Sequence, residues 1–160
     1  MHYPDAKRPV SVTVLSAFEA FYGLLGIVSG VILIVDPSGA GMGFTSDLLD
    51  KMPFHSFLPV GLFLFIVYGI GGLFLAYGAF TRQELFLRWL SDRSGHHWSW
   101  TGGVLMMFTL VVWLIVEGSL IGLDFAATYF TILIGAVISS MLAWPSTREH
   151  FKVRRCQLWD

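Results

Sequence analysis

Charge is scarce in this chain. Of its 160 residues only 13% are Asp, Glu, Lys or Arg, and 10 basic against 11 acidic residues leave a formal net charge of -1. An average soluble domain is about 25% charged. With half of that, one small domain cannot cover a water-facing surface, so a soluble globular protein and a disordered chain are both excluded. The lack of net positive charge excludes a basic nucleic-acid binder. Cysteine occurs once, at Cys156, so no intramolecular disulfide can form. No collagen-like or coiled-coil repeat is present. What the chain has in quantity is apolar surface: 55% of residues are hydrophobic and 16% aromatic.

Those residues fall into long runs. A bilayer core of ~30 Å needs ~20 apolar residues as helix. The first run, Val10 to Val35, ends at the turn sequence Asp36-Pro37-Ser38-Gly39. It follows Lys7 and Arg8, as a signal peptide would, but is far longer than the ~7–15 residues of a signal core. It reads as a retained helix that also targets the chain. A second span is expected over 59–80, with Pro59 suited to a helix start. From Thr101 to Trp144 only Glu117 and Asp124 are charged. One straight helix of that length would run ~66 Å, about twice the core. A turn at Gly122-Leu123-Asp124 therefore gives spans over 101–121 and 125–144, with Asp124 as cap and Pro145 as stop. The sequence predicts an all-α membrane protein: a single four-transmembrane-helix bundle domain over 1–160, with a basic tail over 145–160.

Orientation follows from Lys and Arg. Nine of the ten basic residues flank the first span's start, the 2–3 loop or the end of the fourth span; Lys51 alone lies on the other face. The basic face is assigned to the cytoplasm, with both termini inside. Trp89, Trp98, Trp100 and Trp144 fall near that boundary as expected interfacial anchors. Short interfacial helices are expected in the 1–2 loop, around Leu48 and Leu49, and in the 2–3 loop, where Leu85, Phe86, Trp89 and Leu90 alternate with Arg82, Glu84 and Arg88.

Lipid is as apolar as leucine, so close backbone approach and interhelical hydrogen bonds, not burial of apolar area, hold membrane helices together. Ser16, Glu19, Gly23, Gly26 and Gly30 form one stripe on the first span. On the fourth, Ala127, Thr131, Gly135, Ser139 and Ala143 recur every four residues. Both stripes are expected to face inward, with Gly61, Gly69, Gly72 and Ala76 of the second span and Gly118 and Gly122 of the third.

Glu19 is the residue most expected to carry function, because an acid within a membrane helix is expensive unless it faces the bundle. Either it is protonated, or it is ionised and bonded to a partner such as Tyr68, Tyr77, Ser139 or Ser140. Glu117, with Trp113 one turn deeper, is a second candidate near the other end. With Ser16, these residues make up the expected polar, ligand or proton site. Glu19 and Glu117 differ in depth by ~10 Å, so they do not form a catalytic pair. His96 and His97 are adjacent in a polar loop, His55 lies at the opposite end, and no Cys-x-x-Cys or His-x-x-x-His accompanies them. No metal, cofactor or catalytic residue is expected. Gly39-Ala40-Gly41-Met42-Gly43 opens no long soluble helix and reads as a turn, not a phosphate loop.

Asp36-Pro37-Ser38-Gly39, Leu58-Pro59-Val60-Gly61, the Trp113…Glu117 and Ile121-Gly122 pattern, Tyr129-Phe130 and Gly135 together resemble a widespread family of uncharacterised bacterial four-span integral membrane proteins. The resemblance covers most of the membrane part; it implies architecture and no activity. The expectation is a small, non-enzymatic protein of the bacterial inner membrane that binds a hydrophobic ligand, a lipid or a membrane partner protein through its bundle. The alternative is a proton-linked small-solute transporter using Glu19, as a homodimer, since four helices enclose little pathway alone.

Overall fold

The computed structural model describes residues 8–153; Lys7, Arg154, Arg155 and Cys156 lie outside the described residues, as does the Phe86 side chain. Among the described residues four helices are long and apolar enough to cross a membrane: Val10–Val35, Leu58–Thr81, Trp98–Leu120 and Ala126–Ala143. The protein is thus an all-helical, multi-pass membrane chain. Each apolar run becomes a helix because only a helix satisfies every backbone group where water is absent. The first span stops where Asp36 folds its carboxylate back over the turn. Its Oδ1 accepts from the Ser38 hydroxyl at 2.6 Å and its Oδ2 from the Gly41 N–H at 2.8 Å, bonds that hold the carboxyl below its ordinary pKa. Gly122, at φ 89°, supplies the left-handed turn between the third and fourth spans. Asp124 is not the cap expected there: Phe125 occupies the N-cap, with no side-chain hydrogen bond, because the helix begins one residue later, at Ala126.

Consecutive spans are neighbours, and the fourth returns to the first, closing a four-membered bundle. The tightest seam joins the first two spans. A Cβ on Gly26 would stand 2.6 Å from the Gly69 backbone nitrogen, and one on Gly30 2.8 Å from the Gly61 carbonyl oxygen. One on Gly23 would meet the Leu73 nitrogen at 2.8 Å, and one on Gly72 would lie 3.0 Å from the Gly23 Cα. The helices touch backbone to backbone, with no room for even a methyl group. Within this seam the second span widens into a π-helical stretch, Leu64–Ile70, which buries Tyr68 and Gly69.

On the fourth span the buried line is Thr128, Ile134, Gly135, Ile138 and Leu142. Gly135 meets Leu110 of the third span, whereas Thr131 is half-buried and Ser139 and Ala143 are exposed. A strict four-residue spacing turns about 40° per step, so five such residues wander about 160° around a helix. The first span's alternating spacing does not drift, and its Ser16, Glu19, Gly23, Gly26 and Gly30 are all buried.

A short helix, Ser46–Leu49, lies in the 1–2 connection and another, Arg88–Ser94, in the 2–3 connection. The segment after the fourth span is more than a solvated tail. Helix Pro145–Phe151 folds back over the 2–3 connection, and Phe151 is fully buried. The His97 N–H donates to the Phe151 carbonyl at 2.7 Å and the Val153 N–H to that of Gly95 at 3.0 Å. This overturns two expectations. His97 is buried instead of lying in a solvated loop, and its Nδ1 caps the third span by accepting from the Ser99 N–H. Trp98 is no interfacial anchor: it is 1% exposed, its ring occupies the notch left by Gly78, and its indole N–H donates to the Gln83 carbonyl at 2.8 Å. Trp89 and Trp144 remain exposed.

Two outcomes follow. Gly26→Ala forces the first two spans apart, with an expected loss of about 1–3 kcal/mol. Gly71→Ala, whose Cβ would have 3.5 Å to its nearest neighbour, should be tolerated; equal unfolding midpoints in detergent would contradict the seam. The second outcome is a pH dependence. Burial, ahead of nearby Arg82 and Arg8, pushes the His150 pKa down to about 4, and burial lowers that of His97. These two imidazoles then bind more protons in the unfolded chain than in the folded one below ~6.5. The stabilisation tied to His150 is present above ~6.5 and is lost as pH falls through about 4, so in thermal unfolding measured pH by pH the fall across that window should be smaller in His150→Gln than in the unaltered chain.

Candidate functional site

At the end of the bundle that carries Asp36, Asp47 and Asp50, the four spans diverge around a cavity of about 450 Å³. All four helices contribute walls: Tyr22 and Leu33 from the first, Leu64 and Tyr68 from the second, Trp113 and Glu117 from the third, Thr128 and Thr131 from the fourth. The 1–2 connection forms the roof through Met42, Phe44, Met52 and Phe57. It is fixed there by aromatic packing, Phe44 against Phe57 at 4.8 Å and against Phe125 at 5.9 Å, and by the Phe57 N–H donating to the Pro37 carbonyl at 2.9 Å. The turn closed by Asp36 therefore positions a lid element over a membrane cavity.

The walls are mostly apolar, with a few polar groups in named places. Thr128 donates its hydroxyl to Glu117 Oε1 at 2.6 Å, a short bond that ties the third span to the fourth. Tyr22 and Tyr68 meet edge to face at 5.4 Å, and Phe63 packs against Tyr68 on one side and stacks on Trp113 at 5.1 Å on the other. The Tyr68 ring is 2% exposed, and its hydroxyl has no hydrogen-bond partner among the described residues. A pocket of this size, apolar with a few convergent polar groups, is what a small-molecule site requires.

Glu19 occupies a different place. It is fully buried, and neither carboxyl oxygen has a partner among the described residues. A Cβ on Gly103 would stand 3.1 Å from its Oε1, so Gly103 of the third span supplies the hollow that admits the carboxyl group, with Leu142 of the fourth span beside it. None of the partners expected from the sequence bonds to it: Tyr68 lines the cavity with its own hydroxyl unbonded among the described residues, and the other three are engaged elsewhere or exposed. Tyr77 donates to Gln83, Ser140 donates to the Ala136 carbonyl, and Ser139 is exposed. Ser16, one turn below, donates to the Val12 carbonyl at 2.9 Å.

Glu117 and Trp113 thus share one cavity, while Glu19 and Ser16 lie outside its lining, toward the other end of the bundle. Thr131 lines the cavity; Gly23, Gly30, Gly135 and Ser139 do not, and Gly26 does only at the edge of the first seam. Sequence reasoning missed Tyr22 and Thr128, and it named Tyr68 only as a partner for Glu19, whereas Tyr68 lines the cavity with Glu117. Tyr22 carried a readable signal, since it sits three residues after Glu19 on the same face; Tyr68 depends on the π-helical turn, and Thr128 on where the fourth helix starts. Among the described residues no group of His, Cys, Asp and Glu side chains is arranged to hold a metal. No family model, no curated protein and no solved structure matches this chain.

A carboxyl group buried without a partner weakens a fold. Glu19→Leu should therefore unfold at a midpoint no lower than that of the unaltered chain. A midpoint lowered by several degrees in detergent would mean that the carboxyl makes a stabilising bond after all.

Proposed function

We propose that this chain is a small, non-enzymatic protein of a bacterial inner membrane that binds a hydrophobic molecule or a lipid in the cavity between its four spans. The cavity itself carries the reading: about 450 Å³ between membrane helices, walled by apolar and aromatic side chains, with a polar pair at Glu117 and Thr128 to orient what enters. Both termini are placed in the cytoplasm because the basic residues gather at that end, and the cavity then lies in the outer leaflet under the acidic connection. The helices Ser46–Leu49 and Arg88–Ser94 are assigned to the two membrane surfaces. The resemblance to four-span bacterial proteins supports this architecture and adds no chemistry.

The proton-linked transporter keeps one observation in its favour, the buried carboxyl of Glu19, which has no partner among the described residues. It ranks second because Glu19 does not line the cavity, so protonation there would have to act on a bound solute from a distance. A partner protein held on the bundle surface has no comparable observation behind it.

The test is binding of an uncharged apolar fluorophore to the protein in nanodiscs, with empty nanodiscs subtracted. Ser29 lines the cavity, and Ser29→Phe would place a ring inside it. Binding that is saturable, and at least about tenfold weaker in Ser29→Phe at an unchanged unfolding midpoint, is the expected result. Binding that never saturates, or is indifferent to the substitution, would overturn the reading.

A further inference from the structure

The charge inventory of the cavity is one-sided. Among the described residues Glu117 is its sole ionisable acid or base apart from tyrosine, and no Lys, Arg or His of theirs lines the wall. The carboxylate receives one hydroxyl, from Thr128, and no cation. The acidic side chain thus faces the cavity with one neutral donor and no counter-charge beside it among the described residues. Around it stand electron-rich rings. Tyr22 and Tyr68 are paired edge to face, and Trp113 is stacked on Phe63. Indole and phenol faces attract a cation most strongly where water is excluded. The Tyr68 hydroxyl, buried and without a partner, is a further dipole free to turn its oxygen toward positive charge.

From these residues we infer that the ligand is a lipophilic monocation: an amine or quaternary ammonium on an apolar body. The apolar part fills the space under Met52 and Phe57, and the positive centre sits between Glu117 and the aromatic faces. This rests on the cavity being a binding site and adds the sign of the charge it selects. An anion would meet the carboxylate with no counter-charge. A neutral molecule would leave that carboxyl group without a counter-charge.

The test uses two probes of nearly equal shape, benzyltrimethylammonium and neopentylbenzene, in which carbon replaces the charged nitrogen. Each competes against the uncharged fluorophore on the protein in nanodiscs. The unaltered chain should bind the cation at least about tenfold more tightly than its neutral counterpart. Glu117→Gln should remove most of that preference while leaving neopentylbenzene binding unchanged, and Trp113→Leu should reduce it in part. Equal affinity for the two probes in the unaltered chain overturns the inference without any variant. So does a preference that survives Glu117→Gln. If neither probe displaces the fluorophore and the fluorophore itself does not saturate, the cavity reading has failed; if the fluorophore saturates and only the cation preference is missing, this inference alone has failed.

Discussion

The first and second spans meet backbone against backbone, and the rest of the molecule is arranged around that contact. Lipid offers no hydrophobic reward for bringing two apolar helices together, so they must gain from dispersion at very short range. Gly23, Gly26 and Gly30 on one side, with Gly61, Gly69 and Gly72 on the other, let main-chain atoms approach where any side chain would stand within about 3 Å of backbone or Cβ atoms. The seam sets the rotation of the first helix. That rotation turns Ser16, Glu19 and Tyr22 into the interior together.

With the first pair locked, the other two spans close the ring and taper it differently at its two ends. Toward the basic end Gly78 and Gly103 admit Trp98 and the Glu19 carboxyl, and helix Pro145–Phe151 seals the floor over His97. Toward the acidic end the fillers are tyrosines, a tryptophan and a π-helical turn, which leave space between the spans. The two membrane acids consequently have opposite settings. Glu19 is enclosed in a close-packed region with no partner among the described residues, while Glu117 faces a cavity with a threonine hydroxyl on one oxygen. Of the two, Glu117 is the acid that faces open space.

Much of the architecture was legible because its cause is local. A run of apolar residues with no water to satisfy its backbone becomes a helix wherever it sits, so the four spans and their turn residues could be read with ends displaced by a few positions. The inward stripe of the first span could be read because its three-and-four spacing holds one azimuth. The fourth span was misread for the complementary reason: its small residues recur every four positions and drift around the helix, leaving Ser139 exposed and Gly135 buried. The burial of His97 and Trp98 depended on a chain reversal after Pro145 that no local pattern announced.

The candidate site divides along the same line. Composition and periodicity by themselves determined that this chain is a helical membrane protein, that basic residues gather at one end, and that Glu19 and Glu117 are its two acids within the spans. Which acid faces open space was decided by tertiary structure alone. It depends on how far four helices diverge at each end, on a π-helical turn that swings Tyr68 inward, and on a helix start that brings Thr128 within 2.6 Å of Glu117. Those are distances between residues far apart in the chain, and the spacing of side chains along one helix carries no information about the separation between two.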